Sequence, residues 1–429
     1  MATEKSLSPK RPAGMPLAFA VIVGMMTNMP SVVGATFSLF LLPVSQQFGW
    51  GRDAMSTGVL IAFTATTALY PLVGRIVDRR GARFVVLPGT ILLGAAVISL
   101  AFLHGSVLQF DVQFFLVAAA GTLVSGVVYG RALAGVFNGN RGKALGICLG
   151  VGGGLGAALS PPFAHMLIDR FGWPGAYVGL GLVPIVVTFP LAFLLLRGER
   201  PATAVFARPA DAAVHFGLTV PQAIRQRGLW LIFAAIFLSC LANNGLLVHL
   251  APLLTDRGTS LSVATAALST VAIATTVGQF TSGFMLDRIK GPRVGIPFAL
   301  SVLIGLLLID HGSTSVVRLC GVACFGLGIG SEYSLMPYYI SRYFGLRSFG
   351  QLYGGIYAFA SIAGGLGPFV MGRVFEDTHS YRGALMVFET GIALTIVCIA
   401  SLGRYIYAPG GDAVTPVSHS QPASPAPTR

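Results

Sequence analysis

Glu332 is the residue of this 429-residue chain whose type and setting could most readily do chemistry. It lies inside a long apolar run, ten residues before Arg342. On a helix that separation is ~15 Å, which puts the carboxylate near the middle of a ~30 Å hydrocarbon layer. Ionisable groups at such depth are costly and are functional candidates by default. A carboxylate there could bind and release a proton or touch a ligand; the alternative is a structural hydrogen bond between helices. Arg131, in a second apolar run, could hold a carboxylate bidentately, which Lys does less well. It could instead pair with Glu332 in one state, or snorkel to the membrane edge. Asn28, Asn243 and Asn244 offer amides, and Tyr129, Tyr333, Tyr353 and Tyr357 offer hydroxyls and aromatic faces. For each of these alone, a bond to a neighbouring helix is as good a reading as ligand contact. His249, near the end of its run, is a lesser candidate for a proton. Glu389 is expected to be peripheral and paired with Arg382.

Other patterns carry no chemistry. The five cysteines all sit inside apolar runs, and neither their odd number nor their placement suits a disulfide framework. Cys320 and Cys324, one helical turn apart, read better as small packing residues than as a metal pair. Gly150 to Gly156 is glycine-rich like a dinucleotide loop, but no strand precedes it. No phosphate-binding loop, nucleophilic triad or metal-ligand constellation is apparent. The expectation is a protein that is not an enzyme and takes no cofactor or metal.

The elements that must position these residues follow from composition. Hydrophobic residues make up 54% of the chain and charged ones 10%, against about a quarter in soluble domains. A soluble chain of this kind would expose large apolar patches. That excludes a soluble enzyme and a disordered chain. The net charge of +13 does not make a nucleic-acid binder either, because the 28 Lys and Arg are scattered among apolar runs. What remains is an all-α polytopic membrane protein. The 55 glycines suit it, since glycine lets membrane helices pack closely.

Twelve apolar runs are candidate spans: 15–46, 54–77, 84–104, 112–137, 143–168, 174–196, 229–255, 262–286, 293–310, 314–341, 348–374 and 383–407. The run from Met15 is too long for a cleavable signal. A polar stretch, 197–228, divides the chain into six-helix halves at 15–196 and 229–407. Residues 1–14 form a cytoplasmic tail, 197–228 a cytoplasmic linker, and 408–429 a disordered tail. With the N-terminus inside, Arg52, Arg170, Arg257, Arg318, Arg373 and Arg382 face out, and the other 22 basic residues lie on the inner side or in the inner half of a span. That asymmetry predicts cytoplasmic termini.

The halves repeat. Gly74, Asp78 and Arg79 end span two, and Gly283, Asp287 and Arg288 end span eight, 209 residues later. Gly153-Gly154-Leu155-Gly156 recurs as Gly364-Gly365-Leu366-Gly367. Equivalent spans share an orientation, so the repeat is parallel, as in major facilitator transporters.

The run Gly74-x-x-x-Asp78-Arg79-x-Gly81-x-Arg83 resembles the loop signature of that superfamily. Asp287 and Arg288 fall in a weaker second copy. The resemblance implies a gate: glycine lets two helices approach, and the charges lock the halves together when the transporter faces outward. Phe48-Gly49-Trp50-Gly51-Arg52, Arg141-Gly142-Lys143, Gly172-Trp173 and Arg342-Tyr343-Phe344-Gly345 resemble the monocarboxylate-transporter and oxalate/formate-antiporter branch. Span eight reads Ala272-Ile273-Ala274-Thr275-Thr276-Val277-Gly278-Gln279, so that branch's mid-span Arg is not carried over, nor is the antiporter's Lys in span eleven.

The resemblance implies twelve helices in two pseudo-symmetric six-helix bundles, the major facilitator fold. It implies a monomeric secondary transporter in the lipid bilayer, expected in a bacterial inner membrane. The expected cargo is a small organic anion, monocarboxylate-like, with aromatic or hydroxylated acids favoured because Tyr and Asn outnumber charges in the cavity helices. A proton is the expected coupling ion, in symport, with Glu332 its site. The expected substrate contacts are Asn28, Tyr129, Arg131, Asn243, Asn244, Glu332, Tyr353 and Tyr357. An exporter of drugs or metabolites on the same fold is the alternative.

Overall fold

The structure is a computed structural model, and it describes residues 14–136, 146–196, 217–289, 291–345, 347–403 and 405–406. The described chain is helical, apart from a single antiparallel bridge between Gly217 and Gly345. Eleven helical runs are long and apolar enough to cross a membrane. They are Met15–Phe48, Arg52–Val77, Ala82–Phe102, Val107–Leu133, Ile147–Leu195, Arg227–Asp256, Leu261–Leu286, Pro292–His311, Ser315–Phe344, Phe349–Thr378 and Arg382–Ala400.

One of these is two passes. Ile147–Leu195 has 49 residues, about 74 Å of straight helix and far more than one crossing needs. It breaks at Gly172, which has φ 68° and ψ 177°. Past the break the chain doubles back: a methyl group on Gly179 would lie 2.6 Å from the Leu167 side chain. Among the described residues the count is therefore twelve spans, numbered one to twelve in chain order, with five and six on either side of Gly172.

The ends of spans follow local rules. Ser106, Ser260 and Thr314 cap spans four, eight and ten by accepting from backbone N–H groups three residues on. The Phe48–Arg52 segment is a tight corner. Gly49 takes the left-handed conformation that ends span one. Trp50 then packs on Phe48 at 4.9 Å and on Phe110 at 5.7 Å, and its Nε1 donates to the Gly105 carbonyl at 3.2 Å. That leaves Arg52 at the head of span two.

Packing repeats with the sequence. Within the first half, span two packs on four, and span three on six. Within the second, span eight packs on ten, and nine on twelve. Spans one and five approach closely, as do seven and eleven. Between halves, span five meets eight, eleven meets two, and seven meets one. The N-terminal tail before residue 14, the tail 408–429 and residues 197–216 of the linker lie outside the described residues. The rest of the linker carries a short helix, Val220–Ile224, and Leu218 N donates to the Phe344 carbonyl at the end of span ten (2.8 Å).

Candidate functional site

Glu332 sits mid-way along span ten and is partly exposed. Its Oε1 accepts from Asn243 Nδ2 of span seven at 2.6 Å, and its Oε2 faces Cys240 Sγ at 3.9 Å. Cys240 and Asn243 are three apart, so a helix presents them on one face. Asn244 donates instead to the Cys240 carbonyl (3.0 Å) and borders Gly364 of span eleven. Of the residues predicted from sequence, Asn243 and Glu332 are thus brought together. Cys240 is not among the contacts expected from sequence; its spacing from Asn243 is the available signal.

Other predicted contacts are placed differently. Asn28 is buried, and its Oδ1 accepts from Ser31 N at 3.0 Å. That bond supports the π-helical turn Pro30–Gly34 that interrupts span one. Tyr129 is fully buried, with its ring tip against Gly24 of span one. In this state it is a packing residue of the first half and does not reach the Glu332 cluster. Arg131 stands two residues further along, partly exposed, on a helix that packs within the first half. Tyr353 stacks on Phe349 at 5.7 Å and on Tyr357 at 6.2 Å, forming an aromatic ladder along span eleven. Tyr357 is 43% exposed. Glu389 is not paired with Arg382 among the described residues; its carboxylate gathers with Asp310 and His311.

The two ends of the bundle differ. At the head of span two, Arg52 grips Asp256 bidentately (2.6 and 3.2 Å) and donates to the Tyr381 hydroxyl. Its backbone N–H donates to Glu376 at 2.7 Å, and its guanidinium lies 3.7 Å from the Phe375 ring centroid. Arg373 pairs with Asp53 at 3.5 Å. His249 lies beneath, fully buried: Nε2 is 3.0 Å from both the Pro368 carbonyl and Ser56 Oγ, and Nδ1 is 3.1 Å from the Tyr381 hydroxyl. A carbonyl only accepts, so Nε2 carries the hydrogen and Nδ1 accepts from Tyr381. That arrangement suits a neutral imidazole. Arg52, Asp53 and Ser56 belong to the first half; Asp256, Arg373, Glu376, Tyr381 and His249 belong to the second.

This contact extends only part-way along the spans. Side chains added at Gly372, Gly365 and Gly364 of span eleven would press on Arg52, Leu60 and Phe63 of span two. Beyond them the helices separate. Added side chains at Gly350, Gly354 and Gly355, or at Gly74 on span two and Gly283 on span eight, would meet nothing within 4 Å. Arg79 and Arg288 are exposed there, and Arg288 lies over the Phe284 ring. Arg83 donates to the Phe193 carbonyl within its own half. The side chains of Asp78, Asp287 and Tyr333, and residues 137–145, lie outside the described residues. Among the described residues the halves are latched at the Arg52 end, and Gly74, Gly283, Gly350, Gly354 and Gly355 at the Gly74 end have no neighbour across the halves.

A sequence model of the Major Facilitator Superfamily matches residues 17–368. The chain belongs to the Major Facilitator Superfamily. It is accordingly a multi-pass membrane transporter and not an enzyme. Among curated relatives, monocarboxylate transporter 11 of Mus musculus is 27% identical, the alignment covering 80% of this chain and 77% of the relative. The uncharacterised MFS-type transporter YcxA of Bacillus subtilis is 24% identical over 86% of this chain and 88% of its own. Among solved structures, an inward-facing, occupied bacterial homologue of the lysosomal transporter Spinster superposes with TM-score 0.61, over 91% of this chain and 95% of that one. At 14% identity that likeness speaks to the major facilitator fold alone. An ion-pair latch at one end and separated helices at the other are what one state of an alternating-access transporter requires.

Proposed function

We propose that this transporter moves a small monocarboxylate-like organic anion together with a proton, in symport, with Glu332 as the proton site. The observation that carries the reading is Glu332 itself. It is a carboxylate in the middle of a membrane span, partly exposed, and its described neighbours are the Ser239 hydroxyl, an amide and a thiol rather than a cation. A carboxylate at mid-membrane depth with no described cation beside it is a candidate to take up and release a proton. Two of the curated relatives carry the name monocarboxylate transporter, which supports the cargo class.

Arg131 is the cation we assign to the cargo carboxylate, with Asn244, Tyr353 and Tyr357 bordering the same path. Asn28 and Tyr129 are withdrawn to structural roles in this state. The charge asymmetry of the loops supports a cytoplasmic Gly74 end; on that reading both termini are cytoplasmic and the conformation is the inward-facing one. In the outward-facing state the Asp78–Arg79 and Asp287–Arg288 ends close instead, and the Arg52 latch opens.

The test is thermal stability of the purified protein with a panel of carboxylates at about pH 5.5 and pH 7.5, since a ligand that binds only the folded state raises the melting temperature by mass action. Stabilisation by one carboxylate class, stronger at the lower pH, supports the reading. Stabilisation by neutral or cationic compounds alone would replace it with an exporter of another cargo.

A further inference from the structure

We propose that His249 is a proton-binding site at the Arg52 end, empty while the halves are latched there and filled when they part. The Arg52 guanidinium and a proton on His249 then alternate as the positive charge of that end. This holds whether or not Glu332 is the coupling site.

Hydrogen-bond directions fix the neutral ring in the latched state. The Pro368 carbonyl only accepts, and Ser56 spends its own hydrogen on the Arg52 carbonyl at 2.8 Å. Both groups, each 3.0 Å from Nε2, therefore need a hydrogen on that nitrogen. The Tyr381 oxygen receives an N–H from Arg52, and its own hydrogen goes to Nδ1 at 3.1 Å. His249 and Ser56 are fully buried, and Tyr381 nearly so. A proton on Nδ1 would turn the phenol hydrogen out with no acceptor and set a second positive charge against the guanidinium.

Parting removes both obstacles. Arg52 and Ser56 leave with the first half, while His249, Pro368 and Tyr381 stay together on the second. Nε2–H keeps the Pro368 carbonyl. Nδ1–H donates to the Tyr381 oxygen that Arg52 has vacated, and the phenol hydrogen turns to water. Asp256 lies seven residues on, along the same face of span seven. It and Glu376 lose Arg52 as a partner, and the imidazolium brings a positive charge in its place. A surface cleft lined by Asp256, Phe375 and Tyr381 already brings the medium to the latch. The proton comes from that side onto the Nδ1 lone pair and returns to it on closing. It biases the gate and is not carried across.

Few other charges face the ring. Arg52 is the one that acts on it. Asp53 of span two is turned to Arg373 of span eleven, and Arg382 on span twelve is exposed. Arg257, ending span seven, is taken by Asp310 of span nine, and Arg318 of span ten by the Arg257 carbonyl. Glu332 meets span seven at Asn243, six residues nearer the middle. Span one meets span seven through Ser38, and span eight carries its described charge, Arg288, at the opposite end.

Double electron–electron resonance of the full-length protein in lipid nanodiscs reads the parted fraction. Labels go on exposed residues of each half at the Arg52 end, with the native cysteines replaced. From about pH 7.5 to pH 5.5 the ratio of parted to latched molecules should rise roughly tenfold, for an exposed imidazole titrating at its ordinary value. The rise is toward acid because the parted state holds the extra proton. His249→Gln keeps a donor for Pro368 but takes no proton in this range, and should abolish the rise. Glu332→Gln should keep it. No rise in the parent, a rise that survives in His249→Gln, or one lost in Glu332→Gln overturns the site. Should His249→Gln fail to fold, imidazole ¹⁵N spectra of the parent decide. One histidine should be neutral with its hydrogen on Nε2 in latched molecules, and its charged fraction should follow the parted fraction. Histidines that all titrate independently of the parted fraction overturn the proposal.

Discussion

Gly154 and Gly365, 211 residues apart, occupy the same place in the two halves of the chain, and each receives a side chain from the opposite half. Thr276 of span eight lies on Gly154, and Leu60 of span two lies on Gly365. Two residues further on, Gly156 and Gly367 turn the other way. They lie against backbone carbonyls of their own half, Met26 on span one and Leu241 on span seven. One glycine of each motif thus serves the moving interface and the other the fixed one.

That division gives opposite outcomes for alanine. At Gly367 the added methyl meets backbone in every state, so Gly367→Ala should destabilise the protein by about 1–3 kcal/mol, the usual cost of overpacking. The check is a lower melting temperature in detergent and reduced yield. At Gly365 the clash with Leu60 exists only while the Arg52 end is shut. Gly365→Ala should leave the melting temperature near that of the parent and shift the state distribution, read by double electron–electron resonance between labels at that end. Equal melting losses for the two variants would refute the division.

The Arg52 latch joins the halves through Asp256, Glu376 and Tyr381. Arg52 is largely buried and Asp256 about one-third exposed, so part of the pair's strength is screened. Removing charged hydrogen bonds of this kind costs about 2 kcal/mol, or roughly 30-fold in a two-state population. Arg52→Ala should therefore open this end. In a background free of native cysteines, a cysteine at Ser56 should react with an impermeant thiol reagent far faster once Arg52 is alanine. An unchanged rate would mean the latch does not set the balance.

Asp78 and Arg79 are assigned to the opposite lock by the superfamily signature. Asp78→Asn should favour the state seen here, the reverse of Arg52→Ala. A cysteine at Tyr357, exposed to the open path, should then label faster from the Gly74 side, and combining the two substitutions should restore the parental rate. Faster labelling at Ser56 in Asp78→Asn alone would contradict the assignment.

Arg131 separates cargo binding from membrane-edge snorkelling. If it holds the carboxylate with two parallel bonds, Arg131→Lys keeps the charge but loses one of them, raising the KM for the transported acid roughly tenfold. Arg131→Ala should do worse. Transport kinetics indistinguishable from the parent in both variants would leave Arg131 a structural role.

Much of this was legible in the sequence. The apolar runs and the offset repeats gave twelve spans in two halves, because the bilayer fixes span length and a parallel repeat fixes orientation. Glu332 stood out because a carboxylate at mid-membrane depth is rare enough to notice, and Asn243 was among the candidate amides. The latch was not legible. Arg52, Asp256, Glu376 and Tyr381 are ordinary loop-end residues until folding brings together positions some 200 to 330 apart. Cys240 was hidden by its apolar surroundings. Whether Tyr129 and Asn28 touch cargo is not legible for a related reason. A polar side chain in a span announces a hydrogen bond, but not whether it meets cargo or its own backbone.

The most direct test of the central claim is proton movement in sealed proteoliposomes carrying an internal pH dye, with protein-free liposomes correcting for passive entry of each acid. An inward gradient of the carboxylate that stabilises the protein should acidify the lumen, and an inward proton gradient should drive its accumulation until a protonophore collapses it. Glu332→Gln should lose both responses while still exchanging labelled for unlabelled substrate. Unchanged acidification and accumulation by Glu332→Gln would contradict the account.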